Sequence, residues 1–458
     1  MADHHPRYQA SLGHLWRRSA YERGMITAPA TSRADAARGL VRMRALLERL
    51  GSPDREQHIL HLTGSKGKGS TAAMCAAIAR AHGKKTGLYT SPHLHTYRER
   101  ITIDGEPITE AQFVRLTDAV EAAARDLEET KSDLGAVTTF EFLTTMGLLA
   151  FAEAGCAVTV LEVGMGGEFD ATNVVFPHAC AMTRIDLEHT AILGATLTEI
   201  AQTKSGIIKP GVPIAIGPNP AEAMTQVVAR CRAVGAPMLV ADRDWQVEGT
   251  WQEATIIGPW GEVGPVRLGL AGAFQLENAG TAVAASWAFD SAVSRAGLER
   301  GLSGARWPGR FERVERDGVT YVLDGAHTPA AAEALAAAVR EEFPGEAVTL
   351  VVGCSSDKDL QAVLAPLAAV ADAVIATQAV HPRSAPAAAV GAVAEALVPR
   401  VTVVERVADA VDLAAHGTLV LVTGSLFTVA EGREALGLAE PDIPWGPWLA
   451  SGESAPVR

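Results

Sequence analysis

His61-Leu62-Thr63-Gly64-Ser65-Lys66-Gly67-Lys68-Gly69-Ser70, with Thr71-Ala72-Ala73-Met74-Cys75 behind it, is the stretch on which the reading of this chain turns. Ile59-Leu60-His61-Leu62 is an apolar run of the kind that forms a buried strand, and the Ala-rich segment after Ser70 favours a helix. Between them stand Gly64, Gly67 and Gly69, then Lys68 and the hydroxyl of Ser70. This is the layout of a phosphate-binding loop. Glycines let backbone N–H groups close on phosphate oxygens, and the helix N-terminus adds its positive dipole end. Lys68 is the charge set against β- and γ-phosphates. The pattern, Gly-x-x-Gly-Lys-Gly-Ser, departs from the usual one because Gly69 separates Lys68 from Ser70. The plain alternative is a glycine turn with surface lysines.

The rest of the composition bounds the class. A chain of 458 residues predicts two domains, and 48% hydrophobic residues supply cores for both. A net charge of −13 argues against coating nucleic acid. No apolar run is long enough to span a bilayer, and the N-terminus lacks the apolar core of a signal peptide, so a cytoplasmic protein with no membrane partner is expected. Cys75, Cys156, Cys180, Cys231 and Cys354 are scattered, with no metal-binding spacing.

Outward from the loop, apolar runs alternate with helical spacing. Residues 1–35 read as an irregular arm with His4 and His5 in a solvated tail, and 36–50 as a helix. Strands are predicted at 86–89, 157–161, 179–185 and 212–216, a hairpin at 101–105, and helices at 109–130, 139–154 and 196–204. Three tryptophans at 245–270 mark a small antiparallel insert, and 274–296 reads as one helix. Gly301 to Gly309 reads as the interdomain linker. Beyond it strand and helix alternate again, and the tail after Pro441 has no pattern. The fold class is therefore α/β: a P-loop domain with a mostly parallel sheet over residues 1–302, and a smaller Rossmann-like α/β domain over 303–458.

Ligands of open parallel sheets gather outside the carboxyl ends of the strands. Lys68 with Ser70, Ser91, Glu162, His189, and Asp324 with His327 all follow predicted strands. ATP chemistry requires Mg²⁺, which prefers oxygen ligands. Glu162 offers a carboxylate, Ser91 a hydroxyl, and His189 a ligand for a second metal. A cap for Glu162 and a core histidine for His189 are the plain alternatives. Lys204 is a surface lysine or, after capture of CO₂ as a carbamate, a metal ligand; an ammonium group has no acceptor. Asp324 suits a ribose, His327 a phosphate, and Arg310 sits at the junction of the two domains.

These residues carry a resemblance. The chain resembles the folylpolyglutamate synthase/dihydrofolate synthase family of the Mur ligase superfamily. The matching motifs run from about 36 to 426 and include Gly64-Ser-Lys-Gly-Lys-Gly-Ser70, Tyr89-Thr-Ser-Pro-His-Leu94, Glu162-Val-Gly-Met-Gly-Gly167, Lys204-Ser-Gly-Ile-Ile-Lys-Pro-Gly211, Gln275-Leu-Glu-Asn278, Trp307-Pro-Gly-Arg310, Asp324-Gly-Ala-His327, Asp357-Lys-Asp359 and Thr423-Gly-Ser425. The resemblance implies an ATP-dependent ligase that joins L-glutamate to dihydropteroate or folate through an acyl phosphate, as a monomer. It implies that Gly64, Gly67, Lys68, Gly69 and Ser70 hold phosphates and that Asn278, Arg310 and Asp324 contact the nucleotide. Ser91, Glu162 and His189 would hold magnesium, with Lys204 as the carbamylated lysine. Phe140, Glu141, Phe142, Phe169, Asp170 and Ala171 match pteroate-binding segments. His327 and Ser425 would lie near phosphate and glutamate.

This sequence departs from the family pattern in places. Ser65 and Lys66 replace Thr and Asn, Glu188-His189 replaces Asp-His, Glu168 and Phe169 replace Arg and Leu, Thr328 replaces Asn, and Phe274 replaces His. Two other readings stand beside the folate ligase: an amide ligase of the same type for another carboxylate, and a nucleotide-binding regulatory module without turnover.

Overall fold

The fold is taken from a computed structural model that describes residues 6–18 and 33–442. The first sheet has eight strands: β1 (Ile59–Thr63), β2 (Thr86–Tyr89), β3 (Ile101–Ile103), β4 (Glu106–Pro107), β5 (Val158–Glu162), β6 (Ala179–Met182), β7 (Ile214–Ile216) and β8 (Met238–Val240). Their order is β4-β3-β2-β5-β1-β6-β7-β8. All pairings from β2 to β8 are parallel, and β3 and β4 form an antiparallel edge. β1 lies between β5 and β6, with Leu60 opposite both Val160 and Ala179, and every residue of it is buried. That position, buried on both faces, explains why Ile59, Leu60 and Leu62 do not alternate with exposed residues. The helix Lys68–Ala81 packs on one face with helices Phe274–Phe289 and Arg295–Gly304; helices Arg33–Arg49, Glu110–Thr130 and Thr139–Ala154 cover the other.

A three-stranded antiparallel sheet, β9 (Gln246–Thr250), β10 (Glu253–Gly258) and β11 (Gly261–Val266), forms the expected insert. The last sheet contains β12 (Glu312–Arg316), β13 (Val319–Leu323), β14 (Val348–Val352), β15 (Ala373–Gln378), β16 (Val401–Arg406) and β17 (Leu419–Thr423), in the order β12-β13-β17-β14-β15-β16. It is parallel except for the β12–β13 hairpin.

Three expectations need correction. The N-terminal arm contains a helix, Tyr8–Arg18. Tyr8, Leu12 and Leu15 are its buried stripe, on helix Glu110–Thr130. Burial contributes about 1.5–3 kcal/mol per large aliphatic side chain, enough to order a short helix whose own sequence is mostly polar. The helix expected over 274–296 stops at Phe289, and Ser294 caps a second one by accepting from Gly297 N. The glycines expected to open a linker at 301 lie inside that second helix. A β-carbon on Gly301 would meet Ile78, so these glycines bring two helices into close contact and do not loosen the chain. His4 and His5 lie outside the described residues, as does the tail from 443.

The segments before and after helix Arg295–Gly304 are tied together at several points. Trp251 Nε1 and Gln252 Nε2 donate to Glu342, at the end of helix Pro329–Glu342. Arg433 donates to Glu312 Oε2 at 2.8 Å and lies 2.8 Å from His95 Nε2, while Glu434 takes His95 Nδ1 at 3.0 Å. Tyr8 donates to Asp442 at 2.6 Å. No helix among the described residues is long and apolar enough to cross a membrane.

Candidate active site

The carboxyl ends of β1, β2, β5 and β6 share one edge of the first sheet, and the chain turns there through Gly64–Gly67, Ser91, Glu162 and the 183–189 loop. Gly67 has φ 83° and precedes the helix Lys68–Ala81 without a side-chain cap, so the first N–H groups of that helix point into the loop. A β-carbon at Gly67 would run into the Asn278 side-chain oxygen, and one at Gly69 would crowd the Trp307 ring. The loop is shaped for backbone contact with a ligand.

Its charges converge. Lys68 Nζ donates to Gly64 O at 3.1 Å, and Lys204 Nζ donates to the same oxygen at 2.7 Å. Lys204 is 2% exposed; burial, then the neighbouring Lys68, pulls its amine down to about 7. Glu162 closes β5, accepts from Ser91 N at 3.2 Å, and is pushed up to about 7 by burial against the opposing pull of Lys68. Burial alone would raise Glu188, but Lys66, Lys68 and His189 outweigh it and hold the carboxyl at about 2. His189 is lowered to about 4 by burial. It sits in the left-handed region at φ 52°.

Arg310 reaches this edge from the junction; its charge acts on both Glu162 and Asp324. Asp324 is raised by burial and accepts from Phe311 N and Ala326 N at 2.8 and 2.9 Å, so it locks the junction to β13. His327, lowered to about 4 by burial, holds Nδ1 at 2.8 Å from Gly325 O. A carbonyl only accepts, so Nδ1 carries the proton and Nε2 keeps its lone pair. Lys358 acts on His327 and His189 alike, which places the Asp357-Lys358-Asp359 loop at the same cleft.

Other candidates have structural partners. Asn278 Nδ2 donates to Gln275 Oε1 at 2.8 Å, and Gln275 reaches Ser70 Oγ at 3.4 Å. Asp170 accepts from Met165 N and Thr172 N, both at 2.9 Å, and so fixes the glycine turn after Glu162. Ser425 caps helix Leu426–Ala435. Glu141 is paired with Arg42 at 2.7 Å and caps helix Thr139–Ala154. Phe142 is 0% exposed and belongs to the core, as does Ala171 at 7%; neither presents a free face to a ligand. Phe140 packs near Tyr89 and over Gly164, and Phe169 is half-buried beside Asp170. Among the described residues no three His, Cys, Asp or Glu side chains cluster as a metal site. The residues at hand nevertheless fit a hard cation bound with a polyphosphate. Glu162 is a buried carboxylate whose protonation an added cation would reverse, and Ser91 and His189 lie at the same edge.

Four participants escaped the sequence reading. Glu188, Lys358, Gln275 and Trp307 lie in quoted motifs or beside quoted residues, but nothing in their spacing says that they face the loop. That follows only from the packing of β6, β14 and the junction around β1.

Comparison with known proteins agrees with this geometry. Residues 62–286 match the Mur ligase middle domain and residues 309–426 the Mur ligase glutamate ligase domain. The folylpolyglutamate synthase of Lacticaseibacillus casei is 33% identical over 412 residues, 86% of this chain and 94% of that protein. The dihydrofolate synthase/folylpolyglutamate synthase of Mycobacterium tuberculosis is 33% identical over 438 residues, 87% of this chain and 90% of that protein. The structure of the Mycobacterium tuberculosis folylpolyglutamate synthase complexed with ADP superposes with a TM-score of 0.86 at 31% identity, covering 95% of this chain and 99% of that one. With its phosphate loop, its cleft between two α/β sheets and both ligase domains in sequence, the chain belongs to the folylpolyglutamate synthase/dihydrofolate synthase family of Mur ligases.

Proposed function

We propose that this chain is an ATP-dependent ligase that adds L-glutamate to a pteroate- or folate-type carboxylate. The observation that carries the reading is the convergence of Lys68, Lys204, Glu162, Arg310 and His327 on one cleft between the two sheets. A domain over 1–302 binds ATP, and a domain over 303–458 places the amine.

The glycine loop and the first N–H groups of helix Lys68–Ala81 hold the phosphates, and Lys68 carries charge to the β–γ bridge. The acceptor carboxylate attacks the γ-phosphorus, the β–γ bridge breaks, and ADP leaves an acyl phosphate behind. Lys68 and Arg310 spread the charge that builds up. The α-amine of glutamate, in its neutral form, then attacks the acyl carbon and inorganic phosphate departs. The Nε2 lone pair of His327 is available to take a proton from the amine. Asn278, Gln275 and Asp324 hold the shape of the nucleotide pocket, and Phe140, Phe169 and Asp170 border the acceptor side. Mg²⁺, held by Glu162, Ser91, His189 and a carbamylated Lys204, would supply charge neutralisation to the phosphates. Covering the acyl phosphate between two domains excludes water.

The test is phosphate release with ATP and L-glutamate, with dihydropteroate or tetrahydrofolate as acceptor and product mass as confirmation. Turnover with either supports the ligase. Binding of ADP with no turnover on either points to another carboxylate. Glu162→Gln abolishes turnover in a ligase and leaves the output of a regulatory module unchanged.

A further inference from the structure

The loop after β1 and the loop after β6 are laced together. Ser65 N and Lys66 N both donate to Arg184 O, at 2.8 and 3.1 Å, and Ser65 Oγ donates to Asp186 O at 2.9 Å. The next tie is between side chains: Lys66 Nζ lies 3.1 Å from Glu188 Oε1, with 25% and 14% of the two side chains exposed. Immediately after Glu188 comes His189, in a left-handed conformation that costs a non-glycine residue and persists only when its surroundings hold it. The four-residue helical turn that follows, Thr190–Leu193, has no side-chain cap and no buried residue. Leu193 packs against the core at the far end of this turn, and the Lys66–Glu188 pair sits directly at its start. Across the cleft, His327 lies within electrostatic reach of the same pair.

We propose that Lys66 and Glu188 are one positioning unit. The carboxylate anchors Lys66 on the phosphate loop, Lys66 cancels that carboxylate toward incoming phosphate, and the pair holds the His189 turn against the loop. Both positions depart from the family pattern, and the structure joins the two departures. A carboxylate left unpaired beside a polyphosphate repels it, whereas removing both charges leaves nothing uncompensated.

The inference rests on the ligase reading only for its kinetic arm. ADP affinity is read by calorimetry without acceptor, so its outcome is separate from that of the wild-type turnover assay. Lys66→Gln is expected to weaken ADP binding by about tenfold or more, and the double variant Lys66→Gln/Glu188→Gln to return it to within about threefold of wild type. Glu188→Gln is expected to leave ADP affinity within about threefold but to lower kcat by about tenfold, with KM for the acceptor little changed. Lys66→Arg keeps charge and reach and should match wild type in both measurements, which separates positioning from loss of fold. A double variant that binds ADP as weakly as Lys66→Gln alone, or a Lys66→Gln variant with wild-type affinity, overturns the proposal.

Discussion

Lys68 and Lys204 direct their Nζ atoms to one acceptor, the carbonyl oxygen of Gly64, at 3.1 and 2.7 Å. The charge on Lys68 opposes protonation of the buried Lys204 amine beside it, and a polyanion relieves that opposition. Lys68→Met is therefore expected to lower turnover by about 10²–10³-fold while leaving the ligand-free protein as stable as wild type or more so. Thermal melting with and without ADP checks this: ADP should raise the wild-type midpoint and leave the variant's unchanged. A less stable variant with normal turnover would return the loop to an ordinary glycine turn.

Gly67 must adopt φ 83° and has the Asn278 side chain where a β-carbon would go. Gly67→Ala is expected to cost about 1–3 kcal/mol of stability and to abolish measurable ADP binding, because relieving the clash moves the N–H groups that face the phosphates. Urea unfolding and calorimetry measure the two effects.

Arg433 joins Glu312 and His95, and Glu312 also accepts from Gly309 N at 2.8 Å, one residue before Arg310. Arg433→Gln leaves Glu312 without its cation and is expected to cost about 2–3 kcal/mol, given that 10% and 21% of the two side chains are exposed. Turnover should fall as well, because the turn bearing Arg310 loses its support. Denaturant melts paired with kcat measurements test both, with Arg433→Lys falling in between.

Glu431 accepts from Val380 N at 2.6 Å, and burial pushes its carboxyl up to about 7, with Glu434 adding to the shift. Its folded value lies above its ordinary 4.5, so the folded state binds the extra proton between those pH values. The contribution to stability is full below pH 4.5 and is lost as pH rises through 7. Glu431→Gln is expected to flatten this part of the stability–pH curve and to gain about 1–2 kcal/mol over wild type at pH 8, after allowing for partial exposure. Unfolding free energies at pH 5 and pH 8 decide it.

Much of this architecture is legible in the residues. The mostly apolar runs at 59–62 and 157–161 announce buried parallel strands, and Gly64, Gly67 and Lys68 announce what the first of them presents. Periodicity does not report partners. Tyr8, Leu12 and Leu15 look like isolated apolar residues until helix Glu110–Thr130 supplies the surface they cover. Gly301 reads as a loosening signal, yet it is a contact point for Ile78. Phe142 and Glu141 carry the right motif, but the core and Arg42 occupy them. Local sequence identifies chemical types well; which face a side chain takes is settled by long-range packing.

The Arg433 contacts also bear on how such a chain recombines. The two large sheets are separated by the stretch between helix Arg295–Gly304 and β12, but His95 lies before that stretch and Glu312 and Arg433 after it, so a chimera cut there separates a guanidinium from the imidazole it meets at 2.8 Å. The heritable module is then larger than either sheet, and transplanting the second half from a relative requires moving the 91–99 segment with it.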